Sequence, residues 1–216
     1  MSLTIPASLH RLHRVAVLLA GIALAAATPP LRADIEPQAI TAAQAACKNS
    51  DFDSFLAHLA SAPPAAQRAF FARKVTMTTV DRRKSDGKRP QVRHIAGQRF
   101  TAFPLAMVNR HLVYAQGGKP AADSDGTPQF VRVTHRHQTA TLTDYPVDIV
   151  NVSWEKIRYG PPVDRRYEGE IIGSYGSSGR LLFANGRSNC WELIDSYTTL
   201  QTDTLRPSTT GNDLEP

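Results

Sequence analysis

Apolar positions change period once along this chain, and the change separates a helical first part from a stranded second part. From Asp34 the spacing of Ile40, Ala43 and Cys47 predicts a helix, with Pro37 suited to its first turn. Asp51 is a good N-cap for a second helix, in which Phe52, Phe55, Leu56 and Leu59 form one apolar stripe. Ser61 to Pro64 interrupts it and opens a third, short helix that carries Phe70 and Phe71 toward Arg73. An aromatic stripe at helical spacing predicts core rather than a cofactor box.

From Val75 onward the period falls to two. Val75 to Val80 reads as a strand, and Asp81 to Arg93 as a polar loop. Short apolar pieces follow at Phe103 to Val108 and His111 to Tyr114, then a loop from Gln116 to Pro128. Strands are predicted at Phe130 to His137, Ala140 to Thr143, Val147 to Arg158, Tyr167 to Tyr175, Arg180 to Phe183 and Cys190 to Tyr197. Gly176-Ser177-Ser178-Gly179 and Asn185-Gly186-Arg187-Ser188-Asn189 are predicted hairpin turns. Consecutive hairpins without βαβ alternation predict an α+β fold, with N-terminal helices packed on a curved antiparallel sheet. A single domain over 34–201 and a disordered tail over 202–216 complete the expected organisation.

The N-terminus carries Arg11 and Arg14 with no acidic residue, followed by an apolar run from Val15 to Ala27. Small residues suited to signal peptidase stand at Ala23, Ala25 and Ala27, so 1–27 is predicted to be a signal peptide. Thirteen apolar residues span about 20 Å against a hydrocarbon core of about 30 Å, too short for an anchor. The expected compartment is periplasmic or secreted, with no span of the membrane after cleavage. Loss of 1–33 leaves 22 cations against 19 anions, a net charge near +3 instead of the +6 of the whole chain. In an exported chain the two cysteines, Cys47 and Cys190, invite a disulfide that ties an N-terminal helix to the second-last strand of the fold.

Asp51-Phe52-Asp53-Ser54-Phe55-Leu56, then Gln67 and Phe70-Phe71, resemble the entry helices of exported bacterial members of the nuclear-transport-factor-2-like superfamily. Gly179-Arg180-Leu181-Leu182-Phe183 and Cys190-Trp191-Glu192-Leu193 are similar to that group's final hairpin. The resemblance implies a cone-shaped α+β fold with a central pocket. It implies no reaction, because the superfamily holds both enzymes and non-catalytic modules.

Within His135-Arg136-His137, alternation puts both imidazoles on the face of Val131 and Val133. Two imidazoles are too few for a metal centre unless His94 or His111 joins them, so no metal and no cofactor is expected. In a pocket, the same histidines could exchange a proton with Asp144, Asp148 or Glu155. Arg82, Arg83, Lys84, Lys88, Arg89 and Arg93 form a basic stretch fit to meet an unknown envelope protein or an anionic envelope component. Nucleic acid is not the expected partner, given the compartment and the lack of interleaved aromatics.

The Gly-Ser segments lack the five-residue nucleophile elbow of serine hydrolases, and the chain has no phosphate-cradling glycine loop and no Cys-x-x-Cys. The leading expectation is a non-catalytic exported binding or accessory module. A small cone-fold enzyme with His/carboxylate acid-base chemistry is the alternative.

Overall fold

The computed structural model describes residues 32–83, 89–142, 145–160, 169–186 and 189–207. Helix α1 (Arg32–Lys48) starts two residues before the expected position, with Pro37 inside it. Pro37 is therefore the sixth helical residue and not in the first turn as expected, and its ring removes the bond an N–H would give to the Ala33 carbonyl. Helix α2 (Phe52–Ser61) is capped by Asp51, whose carboxylate accepts from the Ser54 amide at 3.0 Å. Helix α3 (Pro64–Gln67) and a 3₁₀ turn, Arg68–Phe70, follow.

The strands are β1 (Phe71–Asp81), β2 (Gln91–Ala96), β3 (Leu105–Val108), β4 (His111–Gln116) and β5 (Lys119–Pro120). Beyond them come β6 (Val131–Leu142), β7 (Tyr145–Tyr159), β8 (Ile171–Asn185), β9 (Trp191–Leu200) and β10 (Arg206–Pro207). The main sheet runs β2-β1-β9-β8-β7-β6, with β10 added to the free part of β8, while β3, β4 and β5 form a small meander. Every strand pair of the main sheet is antiparallel except β1 with β9, which is parallel.

Helix α2 covers one face of this sheet. Phe52, Phe55, Leu56 and Leu59 are all buried, and so are the inward positions Val150, Val152, Leu181, Phe183, Trp191 and Leu193. The Phe55 ring lies 5.2 Å from Trp191, 5.5 Å from Phe70 and 5.8 Å from Phe183, with the last two edge-on. The other face of the sheet carries Arg132, Thr134, Ser153, Glu155, Arg180 and Tyr197, and no helix lies over it among the described residues.

Four expectations are corrected. Gly176 to Gly179 is no turn: β8 runs through it, and between the pairs Glu155–Ser178 and Ile157–Ser174 it places three residues where β7 places one. The conformational freedom that suits glycine to a turn is used for a bulge, with Gly176 at φ 57°. Phe130 to His137 and Ala140 to Thr143 belong to one strand up to Leu142, because β7 offers pairing partners along its whole length. Arg93 is not in a loop but pairs opposite Met77 in β2, an exposed edge strand whose polar residues hide its pattern. The chain from Thr202 to Pro207 returns to the sheet, where Arg206 and Pro207 pair with Ser174 and Gly173. The expected signal peptide and residues 208–216 lie outside the described residues.

Candidate functional site

Alternation along β6 does place His135 and His137 on the helix-covered face, in register with Val152 and Val150. They close the edge of the aromatic core: Phe52 lies 5.2 Å from the His135 ring and 5.9 Å from the His137 ring, and the two imidazoles are 5.3 Å apart. His135 Nδ1 also stands 3.4 Å from the exposed Asp53 carboxylate. His94 sits on β2, at the far end of the strand order, with Nδ1 3.3 Å from the Thr76 hydroxyl. His111 packs edge-on against Phe130. Neither completes a ligand set, and among the described residues no group of three His, Cys, Asp or Glu side chains could hold a metal.

The disulfide between Cys47 and Cys190 is present, with Cα atoms 5.1 Å apart. It forms one wall of a cavity of about 520 Å³ that is also lined by Ser50, His137, Thr139, Asp148, Asn185, Asn189 and Trp191. Ser50 and Asn189, on either side of the bridge, both have positive φ, at 55° and 53°. The Thr139 hydroxyl donates to Asp148 at 3.4 Å. The structure therefore brings His137 and Asp148 to one cavity. Glu155 faces the opposite side of the sheet and is held by Arg132, whose Nε donates at 2.9 Å. Asp144 lies outside the described residues.

The basic stretch is partly neutralised. Arg83 makes a forked contact with Asp81, Nε to Oδ1 at 2.9 Å and the terminal nitrogen to Oδ2 at 2.8 Å. Arg82, Arg89 and Arg93 are exposed, and Lys84 and Lys88 lie outside the described residues.

One polar cluster escaped the sequence reading. Lys156 follows Val150, Val152 and Trp154 at the next inward position of β7, and its side chain is only 5% exposed. Its ammonium donates to Asp203 Oδ1 at 2.8 Å and to Gln129 Oε1 at 3.4 Å, and it lies 4.5 Å from the centre of the Tyr175 ring. The Tyr175 hydroxyl donates to Asp123, 3.3 Å from Oδ2, and Gln129 Nε2 donates to the same carboxylate at 2.8 Å. Burial, followed by the Asp123 charge, pushes the Tyr175 phenol up to about 12. Tyr114 stacks on Trp154 at 5.4 Å, and burial raises its phenol as well. The signal was the alternation itself, which aims a lysine inward. Its partner Asp203 is 47 residues away and leaves no local mark.

No family model and no curated protein matches the chain. Among solved structures it is similar to a member of the NTF2-like family from Streptomyces avermitilis, with 11% identity, 80% of this chain and 99% of that chain covered, and a TM-score of 0.28. It is also similar to naphthalene 1,2-dioxygenase, with 12% identity, 81% and 83% of the two chains covered, and a TM-score of 0.28.

Proposed function

We propose that the chain is an exported, non-catalytic binding or accessory protein of the cell envelope that meets an anionic partner through the exposed cations of the β1–β2 hairpin. The observation that carries the reading is the filling of the covered sheet face. Phe52, Phe55, Phe70, Phe183 and Trp191 occupy the space beneath α2, and Trp154 with Tyr114 fills the next stretch, where a cone-shaped enzyme would hold its substrate. The exposed guanidiniums of Arg82, Arg89 and Arg93 give long-range attraction and directional hydrogen bonds to phosphate or carboxylate. Export rests on the charged and apolar N-terminus and on a disulfide of the kind that persists in oxidising compartments.

The test is sedimentation of the purified chain with vesicles of anionic phospholipid, beside neutral vesicles, at low and moderate salt. The proposal expects retention on the anionic vesicles at low salt, and at least a tenfold loss in the Arg82→Glu, Arg89→Glu, Arg93→Glu triple variant. Equal retention of variant and parent would remove the hairpin from the reading.

A second reading, proton transfer between His137 and a carboxylate, is favoured by one observation, the cavity shared by His137 and Asp148. If the pair acts on a substrate, His137→Gln and Asp148→Asn each remove at least about a hundredfold of the turnover found in a substrate screen, and equal turnover by the parent and both variants would end that reading.

A further inference from the structure

Lys156 is the most deeply buried cation among the described residues, and its carboxylate partner comes from a segment with little else to hold it. Residues 202–207 are all exposed, and two ladder positions on β8 join them to the sheet. A purely structural anchor at position 156 would be better made by an apolar side chain, because withdrawing an ammonium from water costs several kcal/mol, on the order of the gain from one ion pair.

The seat itself is built into β8. β9 covers β8 from Ser178 to Asn185, so β8 from Gly173 to Ser174 has no β9 partner and pairs with the strap formed by residues 202–207. A Cβ at Gly173 would overlap the Arg206 carbonyl, and one at Gly176 would overlap both the Asp203 carboxylate and the Lys156 ammonium. The bulge thus leaves a groove that residues 201–207 fill, along a strand edge that only β10 pairs, with a buried cation and the Tyr175 ring beside it. Backbone ladder positions, a charge-specific pocket and an extended chain already lying in them are the elements of peptide recognition by strand addition.

We propose that this groove is a docking site for an extended, carboxylate-bearing peptide segment of another protein, and that the chain's own residues 201–207 are its resting occupant. The incoming carboxylate replaces Asp203 on Lys156, and its backbone replaces β10 on Gly173 and Ser174. The site adjoins the base of the β1–β2 hairpin, where the Arg82 N–H donates to the Leu200 carbonyl at 2.8 Å, but the two proposals rest on different side chains, so failure of either leaves the other standing.

The experiment uses the full chain and a fluorescein-labelled synthetic peptide with the sequence of residues 201–207, followed by fluorescence anisotropy. Asp203→Asn keeps an acceptor but removes the charge that holds the strap. The proposal expects this variant to bind the peptide at least tenfold more tightly than the parent. A peptide with asparagine in place of its aspartate should bind at least tenfold more weakly, and adding Lys156→Met should abolish saturable binding. Equal affinity for parent and variant, no binding by either, or no preference for the aspartate peptide would each overturn it. Hydrogen exchange of the unmodified protein is the second measurement, independent of any variant's folding. Amides of 202–206 should exchange at least a hundredfold faster than those of Leu181 to Phe183, and exchange of both only together would equally overturn the proposal.

Discussion

Cys47, at the end of α1, is bonded to Cys190, one residue before β9, across 143 positions of sequence. In the chain-entropy model, closing a loop of that length removes freedom from the unfolded chain worth about 5 kcal/mol. The Cys47→Ser, Cys190→Ser double variant is therefore expected to lose up to that amount in urea unfolding, with reduction of the parent reproducing most of the loss. Coincident unfolding midpoints would show that the bridge contributes nothing to equilibrium stability.

Phe55 is fully buried and touches four other rings, those of Phe52, Phe70, Phe183 and Trp191. Truncation to alanine removes those contacts and leaves a cavity that helix and sheet cannot both collapse into. We expect Phe55→Ala to cost about 3–5 kcal/mol, read from the denaturant midpoint at unchanged slope.

Gly176→Ala meets two obstacles at once, the positive φ and the space already taken by Asp203 and Lys156. A loss of at least about 1 kcal/mol is expected from the backbone alone. The added methyl should also displace the strap, seen as faster amide exchange in 202–206. Gly126, exposed and also at positive φ with open space around it, is the control: alanine there should lose stability without changing strap exchange.

Alkaline pH offers a separate check on the Lys156 cluster. The Tyr175 phenol is raised from 10.0 to about 12 in the folded protein, so the unfolded chain ionises first as pH rises. The stability this contributes is complete below pH 10 and is lost as pH climbs through 12. Tyr175→Phe should flatten that part of the stability profile, and an unchanged slope in the variant would disprove the assignment.

The helical half was legible because α2 is a short element whose apolar stripe meets a single surface. Asp51, Phe52, Phe55, Leu56 and Leu59 signal it locally, and burial follows the signal. The stranded half was less so. Glycine and serine in β8 carry the same local signature whether the chain turns or bulges, and only the length of β7 beside them decides. β2 is exposed along nearly its whole length, so no alternation marks it. At the candidate sites, the shared face of His135 and His137 could be read from spacing. That His137 and Asp148 would line one cavity, and that Lys156 would meet Asp203, depends on pairing between separate segments.

The parallel contact between β1 and β9 has a consequence for the order of assembly. Residues 71–81 have one permanent neighbour in β2, made early in the chain, and another that is among the last segments to be synthesised. A sheet whose first strand must wait for its last has high contact order, and folds slowly compared with a meander of the same size. The sheet cannot close, nor its two thiols meet, until the segments at both ends of the chain have been made.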